Sequence, residues 1–353
     1  MEKNSTLESH LNGSSFVMCA MDSSGQRLAK LIAFVVLLVV ALVGNCLVCL
    51  IVYNNTNLRT TINYLLVNMA VSDLVIPILA ATRSIVNIST GSEEWRVKGG
   101  VGEFLCKSFF FVCDMSPIVS ILSLVLISFD RFSAIVLPFM SASYPSTYRK
   151  CFIALTWIIA VVFCSPYLYI LGLDPSAQYC QMNWQPTTQR IYTVLLTVLF
   201  IIIPFSLLIV MHTCILYKMK MRPRDLNQTE RGKRRRQISK RNITLLSFAV
   251  VLMFAVCWGP YFTVLMLANF KWDWQFDYCS FTHFVFTVQY LAYSNAAINP
   301  LLYFLFLKNF RAGLQKMFTD SICLRGMAFG RRKREKTFFD NSTYKSQKWQ
   351  HLH

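Results

Sequence analysis

Seven long apolar runs divide the chain. The first, at 31–53, has 23 residues without a charge, and a helix needs about 20 such residues to cross a hydrocarbon core of ~30 Å. This run also lacks the polar stripe that a buried helix of a soluble protein would show. The pattern predicts an all-α membrane protein, a seven-transmembrane helix bundle, whose other six runs are 62–87, 105–129, 151–171, 191–216, 243–269 and 281–306.

Composition and charge support a membrane protein and give it an orientation. Of the 353 residues, 55% are hydrophobic and only 15% are charged, against about 25% charged residues in soluble proteins. One set of alternate connections, together with the segment from 308 on, carries 26 of the 35 Lys and Arg residues. Because positive residues collect on the cytoplasmic side, we predict an N-terminus outside and a C-terminus inside. The net charge of +18 then favours the inner leaflet and protein partners over nucleic acid.

The N-terminal segment is predicted to be an extracellular tail. Residues 1–28 are polar and contain no apolar segment of the kind found in signal peptides. Asn4 and Asn12 lie in Asn-X-Ser/Thr sequons and are candidate glycosylation sites. The membrane domain is therefore predicted to span 29–307.

The C-terminal segment is predicted to divide into two parts. Within 308–320, basic residues alternate with apolar residues at helical spacing, which indicates a short amphipathic eighth helix on the inner leaflet. Cys323 follows directly and is a candidate palmitoylation site. Residues 321–353 read as a disordered cytoplasmic tail. The apolar positions of the eighth helix are Phe310, Leu314, Met317 and Phe318.

The twelve cysteines separate into two groups. Most lie within the apolar runs, where cysteine behaves as a small apolar core residue. The others lie outside the membrane or at its outer edge, where an oxidising exterior permits disulfides. Four cysteines allow three pairings, so composition leaves the pairing of Cys19, Cys106, Cys180 and Cys279 open.

Several charged residues interrupt the apolar runs, and each is a candidate functional residue. Asp73 is a lone acid near the middle of the second run, where ionisable residues face the bundle interior. Arg83 lies about 15 Å further along the same helix, and Asp114 about 12 Å beyond Cys106 on the third, at ~1.5 Å per residue. We expect either an intramembrane pair of Arg83 with Asp114 or two separate anchors for a polar ligand.

Short motifs follow one another along the seven runs. The motifs, one per run in order, are Gly44-Asn45, Asn68-Met-Ala-Val-Ser-Asp73-Leu, Asp130-Arg131-Phe132, Trp157, Pro204, Cys257-Trp258-Gly259-Pro260 and Asn299-Pro300-Leu-Leu-Tyr303. Together they resemble the rhodopsin-like (class A) G-protein-coupled receptors over about 29–320. The resemblance implies a receptor that activates a heterotrimeric G protein from the plasma membrane, with arrestin and receptor kinases as further partners.

The resemblance also implies an activation switch. Asp130 is expected to hold Arg131 until activation opens a cytoplasmic crevice, and the two states must differ by only a few kcal/mol. Phe132 replaces the tyrosine that is usual in this motif, and His212 stands where a tyrosine is common. Pro77 follows Asp73 more closely than in most relatives. The remaining expected switch residues are Phe254, Trp258, Pro260, Asn299, Pro300 and Tyr303.

Two further sites follow from the resemblance. A sodium ion is expected at a set of oxygen-bearing side chains, which suit a hard cation, with a water-bridged polar network as the alternative. A disulfide is expected between Cys106 and Cys180. Cys19 and Cys279 then form a second bridge or remain two free thiols. The expected sodium set is Asp73, Ser120, Asn295 and Asn299.

The ligand is predicted less directly. Residues 281–307 contain no lysine, which excludes an opsin, and Cys113 stands where amine receptors carry an aspartate. The seventh run is similar to that of neuropeptide receptors, and the outer segments are rich in aromatic and acidic residues. We therefore expect a short basic or amidated peptide, with a small amine or another small molecule as the alternative. The expected contacts are Arg83, Asp114, Tyr261, Phe262, Gln289 and Tyr293.

Two other classes of protein are disfavoured. A transporter or channel would show repeat-related broken helices or a charged pathway, and we find no internal repeat. An enzyme would need a catalytic constellation of side chains, and the sequence offers none.

Overall fold

The computed structural model describes residues 23–92, 94–137, 146–174, 179–221, 231–272, 278–317 and 319. At 146–148, 231–240 and 278–282 it describes the backbone but not the side chains. The main elements are seven long helices: α1 (Ser24–Asn54), α2 (Thr61–Thr90), α3 (Gly99–Val136), α4 (Ser146–Cys164), α5 (Pro186–Met221), α6 (Arg231–Phe270) and α7 (Tyr278–Phe306).

The helices form a closed bundle around α3. This helix packs against α2, α4, α5 and α6, while α7 packs against both α6 and α1 and so closes the ring. By length and hydropathy, six helices within the described residues are able to cross a membrane, namely all but α7. The 29-residue α7 completes the bundle at the place of the predicted seventh span, so the predicted fold class is confirmed.

Polar side chains link the helices where the sequence motifs lie. Asn68 on α2 donates from Nδ2 to Ser123 Oγ on α3 (2.9 Å) and to Thr156 Oγ1 on α4 (3.2 Å). Trp157 Nε1 donates to Asn68 Oδ1 (2.8 Å). Buried polar groups must be paired to avoid a desolvation penalty, and this amide pairs with two neighbouring helices at once.

Prolines lie within five of the helices, including Pro204 in α5. Pro117, Pro260 and Pro300 lie inside α3, α6 and α7; proline removes a backbone donor and bends a helix. Pro77 lies in a π-helical segment of α2, Ile76–Ala81. The unusual position of this proline thus coincides with a local widening of the helix, a form that often marks functional regions.

The Gly44-Asn45 motif of α1 compensates for the proline of α7. Pro300 has no N–H, so the carbonyl of Ala296 loses its helical donor. Asn45 Nδ2 donates to that carbonyl (2.8 Å) and to Ala41 O on its own helix (2.9 Å). A Cβ at Gly44 would lie 2.8 Å from Pro300 Cβ, so glycine permits the close approach.

A small hairpin lies between α4 and α5. Strands β1 (Leu171–Leu173) and β2 (Cys180–Met182) pair antiparallel, with Leu173 opposite Cys180. Cys180 is bonded to Cys106 on α3, which confirms the expected disulfide. The bridge fixes the hairpin to the end of α3.

An eighth helix, α8, follows α7 over 308–317. Phe310 is 1% exposed, and a Cβ at Gly313 would lie 2.7 Å from Ile51 of α1. Arg311 Nη1 donates to the carbonyls of Phe304 (2.9 Å) and Leu305 (2.5 Å) at the end of α7, where helical donors are missing. The predicted short helix is present, and its contact with the inner leaflet stays a prediction.

Several predicted sites lie outside the described residues. These are the glycosylation sites, the palmitoylation site and the tail at 321–353; the side chains of the second cysteine pair are outside them as well. Their assignments stay predictions for Asn4, Asn12, Cys323, Cys19 and Cys279.

Candidate functional site

The polar centre of the bundle lies around Asp73. This residue is 2% exposed and comes from α2. Ser120 Oγ on α3 donates to its Oδ1 (2.9 Å), and Asn299 Nδ2 on α7 donates to its Oδ2 (2.8 Å). Three helices therefore meet at one carboxylate, and three of the four residues expected to bind sodium are in direct contact.

Two of the residues expected to bind sodium have an unpaired side-chain oxygen. Asn295 and Asn299 each have a buried Oδ1 that receives no hydrogen bond from the described residues. Leaving such a group unpaired costs about 1–3 kcal/mol. The set combines one carboxylate with neutral oxygens. Among the described residues no cluster of three or more His, Cys, Asp or Glu forms a multi-carboxylate or thiolate metal site.

A cavity of about 180 Å³ lies between α3, α5 and α6, under the hairpin. Asp114 contributes a carboxylate to its wall, and the Tyr167 hydroxyl is hydrogen-bonded to that carboxylate. Tyr192 Oη donates to Phe163 O (2.6 Å). Aromatic side chains form most of the remaining surface: Phe110, Tyr167, Trp184, Tyr192, Phe200, Phe254, Trp258, Tyr261 and Phe262.

The expected ligand contacts divide into two groups. Asp114, Tyr261 and Phe262 line the cavity, so the structure brings half of the predicted set together. Gln289 and Tyr293 lie together on α7, where Gln289 Nε2 donates to Tyr293 Oη (2.9 Å). These two residues and Arg83 are outside the cavity lining.

Arg83 packs against aromatic rings at the outer ends of α2 and α3. Its Cζ lies 4.8 Å from the centre of the Trp95 ring and 4.9 Å from that of Phe109. Such cation–π contacts stabilise a guanidinium among apolar groups. Asp114 is bonded to Tyr167, and the choice between an Arg83–Asp114 pair and two separate anchors stays a prediction.

The structure also contains cavity residues that the sequence motifs did not indicate. Tyr167 and Trp184 flank the hairpin, and Pro117 lies on α3 one turn from Asp114. A proline inside a predicted transmembrane helix is a visible signal, and it could have been used. Tyr167 lies at the end of an apolar run without any motif, so only the fold shows its contact with Asp114.

The expected switch begins with an ion pair at the inner end of α3. Arg131 forms a salt bridge with Asp130, and its Nε donates to Asp130 Oδ2 (3.2 Å). The side chains are 14% and 30% exposed, which places the pair between the core and the surrounding medium. The pairing is therefore present, and its role as a latch stays a prediction.

Aromatic residues connect the cavity with the bundle interior. Phe254 stacks on Trp258 with ring centres 6.1 Å apart, and Trp258 contacts Tyr261 edge to face at 5.7 Å. All three lie within two turns of Pro260 on α6. On α7, Tyr303 is fully buried and packs on Phe310 of α8. A shift of a cavity residue can thus be transmitted along α6.

His212 makes the contact that departs most from the resemblance. Its ring reaches from α5 to α6, where Nε2 lies 3.2 Å from Ser247 Oγ. It is 5% exposed. The described partner of Arg131 is Asp130, so the histidine serves a different contact in this arrangement.

Comparison with known proteins agrees with this geometry. The family model described as "7 transmembrane receptor (rhodopsin family)" matches residues 44–303. The QRFP-like peptide receptor of Branchiostoma floridae is 28% identical over 307 residues, which cover 84% of this chain and 78% of that protein. The pyroglutamylated RF-amide peptide receptor of Mus musculus is 27% identical over 316 residues, with 84% and 70% covered. Neuromedin-U receptor 2 of Rattus norvegicus is 27% identical over 318 residues, with 85% and 78% covered.

Proposed function

The chain belongs to the rhodopsin family of seven-transmembrane receptors, and we propose that this G-protein-coupled receptor responds to a short basic or amidated extracellular peptide. The observation that carries the proposal is the Asp114 carboxylate in a cavity walled by aromatic rings. The names of two similar proteins, a QRFP-like peptide receptor and an RF-amide peptide receptor, support a peptide ligand.

The size of the cavity supports a peptide that inserts only its end. At about 180 Å³ it is smaller than the roughly 300–1,000 Å³ that holds a drug-sized ligand. A terminal residue would fill it, and the rest of the peptide would lie against the hairpin and the outer loops. A carboxylate there pairs best with a guanidinium, an ammonium or the NH₂ of a terminal amide.

Small amines are the second candidate class. The cavity is large enough for one, and Asp114 provides the anionic partner that an amine needs. Cys113 at the usual amine-binding position argues against an amine, because the acid, Asp114, comes one residue later and is rotated by about 100° around the helix.

Screening amidated peptides, free-acid peptides and amines on cells that express the receptor separates the two ligand classes. A response to amines and to no peptide would contradict the peptide proposal.

Replacing Asp114 with asparagine is expected to raise the half-maximal concentration of the active peptide about 30-fold or more. Truncating one partner of a buried charged hydrogen bond costs about 2–5 kcal/mol. Calcium and cAMP responses measure the shift, with receptor number at the surface held equal. The matched control is Glu103→Gln, since Glu103 is a largely exposed acid on the same helix. Unchanged potency for Asp114→Asn would exclude this anchor.

The proposed mechanism links the cavity to the inner surface. A peptide terminus that displaces Trp258 or Tyr261 would change the bend of α6 at Pro260. The inner segment of α6 would then move away from α3, releasing Arg131 and opening a surface for the G protein. A ligand drives this shift only by binding one state better than the other. Receptor kinases and arrestin are proposed to act on the same inner side, with the N-terminus outside.

We also propose that a sodium ion binds at the polar centre. Among the described residues, Asn295 and Asn299 each have a buried Oδ1 without a hydrogen bond, and Asn299 is bonded to the Asp73 carboxylate through its Nδ2. Asp73 and Ser120 complete an all-oxygen set, as a hard cation requires. Bound there, the ion would supply charge that holds α2, α3 and α7 together.

Replacing Asp73 with asparagine is therefore expected to abolish the sodium dependence of the receptor. The unliganded wild-type protein, purified in detergent, should melt at a higher temperature in sodium chloride than in choline chloride at equal ionic strength. Ser116→Ala should keep this difference, because the Ser116 hydroxyl donates to the Ser72 carbonyl and not to the Asp73 carboxylate. An equal salt effect in wild type and Asp73→Asn would contradict the site.

A further inference from the structure

Three buried polar side chains connect α3, α5 and α6 near the inner end of the bundle. Ser128 is 0% exposed, Ser247 2% and His212 5%. Ser128 Oγ lies 3.1 Å from Ser247 Oγ, and Ser247 Oγ lies 3.2 Å from His212 Nε2. No part of the ligand cavity or the sodium set includes these residues. We call them the His212 relay.

The donors and acceptors of the relay fit one arrangement. His212 Nδ1 lies 2.8 Å from Leu208 O, and a carbonyl only accepts, so Nδ1 carries the hydrogen. In the neutral ring Nε2 is then an acceptor. Ser247 must donate to it, which leaves the Ser247 oxygen to accept from the Ser128 hydroxyl. In this arrangement each hydrogen bond of the relay has one donor and one acceptor.

The relay joins α6 to α3 and α5, and α6 is the helix that is proposed to move on activation. Ser128 lies three residues before Arg131, about 4.5 Å along α3. Ser247 lies thirteen residues before Pro260, about 20 Å from the bend of α6. A change of angle at Pro260 therefore displaces Ser247 more than any residue between it and the bend. Both hydrogen bonds of Ser247 cross from α6 to another helix.

We propose that the His212 relay is a second latch that holds α6 against α3 and α5 while Arg131 is paired with Asp130. Outward movement of α6 breaks two hydrogen bonds between buried side chains. His212 is then a positioning residue for activation, and it replaces the tyrosine usual at this place with a group that favours the closed state. The inference rests on the G-protein coupling proposed above.

The alternative is that the relay only satisfies buried polar groups. In that case removing it would lower stability in all states and leave the balance between them unchanged. A latch predicts the opposite: the closed state alone loses the bonds, so basal signalling rises. Removing one net hydrogen bond shifts a two-state balance about five-fold.

The test measures ligand-independent recruitment of engineered minimal G proteins from each coupling class, per receptor at the surface. His212→Phe removes one hydrogen bond and is expected to raise it about five-fold, whereas Ser247→Ala removes two and is expected to raise it roughly 30-fold. His212→Gln should restore wild-type recruitment, since its side-chain oxygen can accept from Ser247. Thr213→Val is the matched control, because Thr213 is exposed and its hydroxyl donates within α5, to Ile209 O (2.7 Å).

Each further result decides the proposal. Ser128→Ala combined with Ser247→Ala should raise recruitment no more than Ser247→Ala alone, because both remove the same contact. Unchanged recruitment in surface-expressed Ser247→Ala or His212→Phe would overturn the latch. If either fails to reach the surface, Ser128→Ala decides. If the variants recruit G proteins with an unchanged basal level, the latch is refuted and the proposed G-protein coupling is not. If neither the wild-type receptor nor any variant recruits a G protein, the proposed signalling function is refuted as well.

Discussion

Replacing Arg131 with alanine is expected to abolish most G-protein signalling in a receptor that still reaches the cell surface. Arg131 lies at the inner end of α3, the helix that packs against four others, and its side chain is 14% exposed. A guanidinium offers five donors in a planar fork. Charged hydrogen bonds contribute about 1.5–3 kcal/mol each, so losing them at the coupling surface should reduce the response roughly 10- to 100-fold.

Neutralising the partner is expected to have the opposite effect. Asp130→Asn removes the charge that holds Arg131, so basal signalling should rise several-fold while stimulated signalling is retained. The same helix provides a control ion pair, Glu103 with Lys107, at 2.7 Å and one turn apart. This exposed pair is worth about 0–1 kcal/mol, and Glu103→Gln should leave basal signalling unchanged.

Normal signalling by a surface-expressed Arg131→Ala would refute the latch.

The number and order of the helices could be predicted from hydropathy, but their ends could not. The runs at 105–129 and 243–269 correspond to Gly99–Val136 and Arg231–Phe270. Hydropathy detects only the part of a helix that needs an apolar environment. The two helices continue beyond these runs into segments with charged residues or glycines, and composition does not mark where they stop.

Local helix geometry was only partly visible in the sequence. Pro77 and Pro204 indicate irregularities in α2 and α5. The sequence does not show that these are π-helical segments, which the structure has at Ile76–Ala81 and Val198–Ile202. A proline fixes which donor is missing. How the neighbouring carbonyls find other partners depends on the packing of adjacent helices.

The candidate sites differ in how much of them the sequence revealed. Motifs placed Asp73 with Asn299, because both occur in family-wide patterns, and the two are in contact. The bond between Tyr167 and Asp114 joins residues from different helices without any motif. The same holds for Ser128 and Ser247, 119 residues apart. Such pairs follow from the tertiary arrangement, which a single sequence does not encode locally.

Replacing Cys106 with serine is expected to cause a large loss of folded receptor and of peptide affinity. The Cys106–Cys180 bridge closes a loop of 74 residues, for which chain entropy gives a stabilisation of roughly 4 kcal/mol. It also holds β2 over the cavity, where Met182 at the end of the strand and Trp184 just after it are part of the cavity wall. Without the bridge, a peptide would have to order this segment itself, which lowers its affinity.

The effect of the bridge can be separated from that of a lost cysteine. Cys106→Ser and the double variant with Cys180→Ser should lose the same amount of surface receptor, because both remove one bond. Cys214→Ser should behave as wild type, since Cys214 is a free, partly exposed cysteine of α5. Antibody labelling of an N-terminal tag gives surface number, and melting of purified receptor gives stability. A double variant with normal melting and normal peptide potency would contradict this prediction. Packing and the pairing of Leu171–Leu173 with Cys180–Met182 would then hold the hairpin in place without the disulfide.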